Sequence, residues 1–153
     1  MAEKTDKSNT VRLVRALEIA LSDKEKGKNE SQIDALLIAL NHDREKLYAD
    51  INRRVDVMLE NGLVQEVEGL KARGLTKENQ SMKAIGYKEV LAYLDGEYSY
   101  ERMVELLKQH SRNYAKRQLT FLRGMENVHF VEVEDREKAY EEILSLVKDW
   151  RGK

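Results

Sequence analysis

The segment Asn113 to Arg123, NYAKRQLTFLR, gathers Lys116, Arg117 and Arg123 with no carboxylate among them. Cations grouped in this way bind carboxylates or phosphates, and a guanidinium can do so through two parallel hydrogen bonds. On a helix, at ~100° per residue, Lys108, Arg112, Lys116 and Arg123 fall within a stripe ~80° wide that also holds Leu119. The opposite arc carries Met103, Leu106, Leu107, His110, Tyr114 and Phe121, the expected core face, and Arg117 projects into its middle. A guanidinium there must snorkel, pair with a carboxylate or meet an anionic ligand, because a dry, unpaired charge is costly. The plainest reading of the stripe is a solvated helix face, and that of Arg117 a structural ion pair.

The same pattern recurs upstream. In LYADINRRVDVMLENG, the residues Leu47, Ile51, Val55, Val57, Met58 and Leu59 form a wide apolar arc, with Arg54 inside it and Arg53 off it. Arg54 suits a phosphate, and an intrachain salt bridge suits it equally. The three histidines, His42, His110 and His129, lack metal-ligand spacing, and His110 on an apolar face reads as a core histidine with a satisfied ring. The absence of cysteine excludes disulfides, thiolate metal sites and a cysteine nucleophile.

Elements must hold these groups in place. The 153 residues suffice for one domain with a real core. With a formal net charge of -1, affinity for a polyanion must come from local patches. No apolar run nears the ~18 residues of a membrane span, and the first ten residues lack the apolar stretch of a signal peptide, so a cytoplasmic protein without a membrane partner is expected.

Periodicity predicts a helix from Thr10 to Ser22, with Leu13, Val14, Leu17, Ala20 and Leu21 on one face and Ser8, Asn9 or Thr10 as its cap, then the polar connector SDKEKGKNESQ. A strand is favoured over a helix for about Ala35 to Ala39. Helices follow over Arg44 to Glu60, capped by Asp43, and Leu63 to Ala72. Ser81 is expected to cap the helix MKAIGYKEVLAYL, and Ser99 the longest helix, Tyr100 to Leu122, closed by Gly124. VHFVEV reads as a second strand. A last helix, about Glu134 to Trp150, should pack through Tyr140, Ile143, Leu144, Val147 and Trp150, its many carboxylates forming a solvated face. Two strands so far apart in the chain imply a parallel pair, which normally belongs to a larger sheet.

Three ordered stretches, LYADINRRVDVMLENGLVQEVEGL, QSMKAIGYKEVLAYLDGE and RNYAKRQLTFLR, with NTVRLVRALEI upstream, resemble the C-terminal half of the bacterial tRNA dimethylallyltransferases, also called tRNA isopentenyltransferases. The resemblance runs from about Asn9 to Trp150. It implies a mostly α fold with two short strands, the C-terminal portion of a P-loop-type α/β fold, making residues 1–153 a single, incomplete domain. It also implies magnesium-dependent transfer of a dimethylallyl group from dimethylallyl diphosphate to the exocyclic amine of the adenosine 3′ of the anticodon. That base must leave its stack to react. By resemblance, Arg54 contacts the diphosphate. Three segments contact the tRNA anticodon stem-loop: Val11, Arg12, Leu13, Val14 and Arg15; Lys83, Ala84, Ile85, Gly86, Tyr87 and Lys88; and Lys116, Arg117, Gln118, Leu119, Thr120, Phe121, Leu122 and Arg123. Within the second, Gly86 permits close backbone approach and Tyr87 can stack or hydrogen-bond.

The departures from the family pattern are specific. The glycine-rich GxxxxGK[ST] loop and the acidic residue that acts on the adenosine amine are both missing from this sequence, so the magnesium ligands are expected in that other half. Phe121 stands where the family usually has tryptophan, and Asp50 stands where a basic residue is common, from which it could pair with Arg53 or Arg54. Two readings remain. One is part of a prenyltransferase completed by a P-loop-containing partner chain or by self-association; the other is a stand-alone RNA-binding helical module or an inactive remnant. An unrelated helical protein with salt-bridged arginines is the plainest alternative.

Overall fold

A computed structural model describes residues 10–21 and 34–152. The predicted caps Ser8 and Asn9 and the polar connector lie outside the described residues. The chain divides into two compact units, Met1–Asp34 and Ala35–Lys153. The first contains α1, Thr10–Leu21, whose Val11, Val14, Leu17 and Leu21 are exposed.

The second unit runs β1 (Leu37–Asn41), α2 (Arg44–Glu60), α3 (Leu63–Ala72), a 3-10 turn (Gln80–Lys83), α4 (Tyr87–Leu94), α5 (Tyr100–Arg123), β2 (Val128–Glu132) and α6 (Arg136–Arg151). It is mostly α with two short strands, as the periodicity and the resemblance implied. The strands pair in parallel, Leu37 opposite Val128 and Asn41 opposite Glu132. The first strand lies two residues later than expected. Asn41 ends it, its side chain donating 2.6 Å to Glu132.

Four helices supply the core. Val55 of α2, Leu63 and Val67 of α3, Met82 of the turn, Val90 and Leu91 of α4, and Met103 and Leu107 of α5 are buried together. Lys71 ties α3 to the end of α4, donating to the Leu94 carbonyl at 3.1 Å and to Asp95 at 2.6 Å. Against the strands, α6 buries only Ala139; Tyr140 and Leu144, expected to pack, are exposed, because a sheet of two strands offers too little surface to cover the helix's apolar stripe.

Carboxylate caps start two helices. Asp43 accepts the amides of Glu45 and Lys46 at 2.9 and 3.2 Å, and Asp135 accepts those of Glu137 and Lys138 at 3.2 Å. The amide of Lys46, and likewise that of Lys138, is the leading cause holding each carboxyl below its ordinary value. Glu134, which accepts the Asp43 amide at 2.7 Å, is lowered chiefly by that bond. A depressed folded-state value contributes stability above the unfolded carboxylate value and loses it as pH falls through the folded one. The denaturation midpoint should therefore drop on acidification below about pH 4, and Asp43→Asn with Asp135→Asn, which caps without titrating, should flatten that drop. An unchanged slope would sink this account of the caps.

Candidate RNA interface and substrate groove

The segment expected as one helix from Ser81 to Leu94 breaks in two. Gly86 takes φ 102°, ψ -61°, a conformation that side chains rarely adopt, so the helix must restart after it. Glu89 then reaches back, its Oε2 accepting the Gly86 amide at 2.8 Å. The turn 84–86 thus stands beside the middle of α5.

Between that turn, α2 and α5 lies an apolar groove of about 750 Å3, lined among others by Leu40, Ile51, Met58, Ile85 and Leu119, with Arg54 on its wall. Arg54 is exposed and makes no ion pair or hydrogen bond among the described residues. Asp50, which could have claimed it, pairs instead with Arg53 at 3.0 Å. The groove therefore combines apolar walls with one uncommitted guanidinium, an arrangement that fits a molecule with a hydrocarbon part and an anionic part.

The basic stripe of α5 has two halves. Lys108 pairs with Asp56 at 2.6 Å and Arg112 donates to Asn52 at 2.5 Å, both on α2, so this half is an interhelical seam and not a solvated ridge. Lys116 and Arg123 make no ion pair among the described residues and are exposed. Arg117 corrects the expectation drawn from periodicity. It does not enter a core; it is exposed and lies over the Tyr114 ring at 5.7 Å. The reason is that the apolar face of α5 loses its cover past His110: Tyr114 is 50% and Phe121 66% exposed. Gln118 and Thr120 are exposed beside them, while Leu119 and Leu122 are half-buried.

In the 83–88 segment, Lys83 and Ala84 are exposed and Ile85 is half-buried. The Tyr87 hydroxyl donates to Glu66, and this bond raises its pKa, so the ring rather than the hydroxyl is left for stacking. On α1, Val11, Val14 and Arg15 are exposed, Leu13 is half-buried, and Arg15 pairs with Glu18 at 2.8 Å; Arg12 lies on the same helix.

A second, polar groove of about 520 Å3 opens at the C-terminal ends of the strands. Its cations Arg44, Lys116 and Arg123 face the acids Asp43, Glu132 and Glu134, so the charges balance. Among the described residues no group of three or more His, Cys, Asp or Glu side chains is arranged to hold a metal ion. Likewise, no helix among them is long and apolar enough to cross a membrane.

Periodicity missed Glu89. It is 1% exposed, the one buried charged residue among those described, and His110 meets it through Nδ1 at 2.5 Å; the histidine expected in the core is instead partly exposed, its side chain 37% accessible, because the cover of α5 ends there.

A fold of this kind, mostly helical with one parallel strand pair, is shared with part of solved transferase structures. The family model for IPP transferase matches residues 1–125, and the chain belongs to that family. It is 43% identical over 157 residues to a tRNA dimethylallyltransferase of Clostridioides difficile, covering 97% of this chain and 50% of the relative. A tRNA dimethylallyltransferase of Bacillus anthracis is 47% identical over 154 residues, covering 96% and 48%. The crystal structure of the full-length tRNA isopentenylpyrophosphate transferase of Bacillus halodurans superposes with a TM-score of 0.72 at 38% identity, covering 95% of this chain and 48% of that one. The corresponding Staphylococcus epidermidis structure gives 0.71 at 39%, covering 97% and 51%. The chain thus spans about half the length of the relatives it matches.

Proposed function

We propose that this chain is one incomplete domain supplying the tRNA contacts and one wall of the substrate channel of a tRNA dimethylallyltransferase. A P-loop-bearing half completes the sheet and supplies the phosphate loop, the acidic group and magnesium. The observation that carries this reading is the apolar groove with an unpaired Arg54. Its walls suit a short branched hydrocarbon, and its guanidinium suits the diphosphate that leaves. The groove is also large enough to admit a planar base beside the prenyl chain. The turn 83–88 and the bare end of α5, 116–123, flank it and receive the anticodon stem-loop, with Lys116, Arg117 and Arg123 toward phosphates and Phe121 and Tyr87 toward bases. Val11 to Arg15 adds the third contact, through Arg12 and Arg15.

The test has two arms. Titration of the chain with an unmodified anticodon stem-loop should give an affinity that falls steeply with salt, and Lys116→Ala or Arg123→Ala should each reduce the log–log salt slope by about 1. Undetectable or salt-insensitive binding would remove the RNA reading. In the second arm, labelled dimethylallyl should reach the stem-loop only when a P-loop half is added. Binding without transfer under that condition would leave a stand-alone RNA-binding module.

A further inference from the structure

The carboxylate of Glu89 joins the 84–86 turn, which the proposed function assigns to RNA, to the middle of α5, whose later residues 116–123 it assigns likewise. Its Oε2 accepts the amide of Gly86, in the turn, and its Oε1 lies 2.5 Å from Nδ1 of His110, on α5. Which of the two atoms donates in the Oε1–Nδ1 hydrogen bond follows from the tautomer of the ring. Lys88 Nζ stands 3.4 Å from Oε1, and the Glu89 carbonyl accepts the Tyr98 hydroxyl at 3.1 Å. The groove walls begin at these same places: Ala84 and Ile85 precede Gly86, and Ser111, Tyr114 and Ala115 follow His110. A buried charge is a poor choice for stability alone, since an apolar side chain of similar volume would serve the core as well. Its two oxygens, however, fix two backbones at one separation.

From this we infer that Glu89 is a positioning residue: with His110 it sets the distance and angle between the 84–86 turn and α5, and so the way both meet the anticodon stem-loop. The inference rests on the proposed RNA reading. A positioning residue touches no phosphate, which separates it from Lys116 and Arg123. Its loss should weaken binding without changing the number of counterions released.

The experiment compares Glu89→Gln, His110→Ala and His110→Asn with the parent chain, by stem-loop titration across salt and by hydrogen exchange at the Gly86 amide. Glu89→Gln keeps the shape while losing the charge. It should speed Gly86 exchange and weaken stem-loop binding roughly ten-fold, with the salt slope unchanged. His110→Ala, at a partly exposed site, tests the same joint should Glu89→Gln fail to fold, and should weaken binding in the same way. His110→Asn places an N–H close to where Nδ1 stands and should restore most of the affinity. Parent-like exchange and affinity in both Glu89→Gln and His110→Ala would overturn the inference, as would a reduced salt slope or faster exchange with intact affinity. If the parent chain itself binds no stem-loop, the proposed function falls and this role of Glu89 with it; parent binding with indifferent variants sinks the role alone.

Discussion

Replacement of Arg54 by alanine is expected to lower dimethylallyl transfer by the completed enzyme about a hundred-fold, the usual loss when one charged donor to a developing anion is removed. The side chain is exposed and bonded to nothing among the described residues, so the chain's unfolding midpoint should not move. The groove should still take the hydrocarbon. The loss should therefore fall on kcat/KM for the prenyl diphosphate and leave the stem-loop's KM near its parent value. Arg54→Lys should recover only part of the rate, because an ammonium lacks the planar fork that matches a phosphate. Steady-state kinetics with each substrate varied in turn would check this, and a fully active Arg54→Ala would remove the diphosphate role.

The second large effect is structural, and it divides one helix into unlike halves. Leu107→Ala, at a site 1% exposed within the helical core, should cost about 3 kcal/mol in denaturant unfolding, combining lost burial with a cavity. Four turns on, Phe121→Ala should cost under about 0.5 kcal/mol in this chain, since two-thirds of that ring already faces solvent. The same Phe121→Ala should weaken stem-loop binding by about ten-fold if the ring stacks on a base. A Phe121→Ala variant as destabilised as Leu107→Ala would mean that the end of α5 has a cover within this chain.

Much of the fold could be read from local chemistry. Asp43 and Ser99 cap α2 and α5 as expected, Ser99 Oγ accepting the Arg102 amide at 3.3 Å, and the ends of α2 and α3 fall at Glu60 and Ala72. Harder were the points where one residue's backbone overrules a periodic pattern. The apolar spacing of MKAIGYKEVLAYL runs straight through Gly86, yet its positive φ divides the segment, and the spacing from Gly86 to Glu89 was the available sign of a helix starting there. Arg117 failed for another reason: periodicity identifies a face but not what covers it. The uncommitted state of Arg54 depended on a choice by Asp50 between two arginines, which only the fold decides. Glu89 follows Lys88 and precedes Val90 and Leu91, so the sequence around it reads as the start of an ordinary amphipathic helix and does not mark it as buried.

The parallel pairing of β1 with β2 joins residues 91 positions apart. Closing so long a loop costs entropy that grows only with the logarithm of its length, but it must be met before any ladder bond forms. The helices between the strands make mostly near-neighbour contacts and can assemble first, leaving the ladder as the late and slow event in folding. Among the described residues the sheet has only these two strands, so each has an outer edge able to take a neighbouring strand. A strand that docked on either edge would therefore act on the last step of folding and leave the earlier helical assembly unchanged.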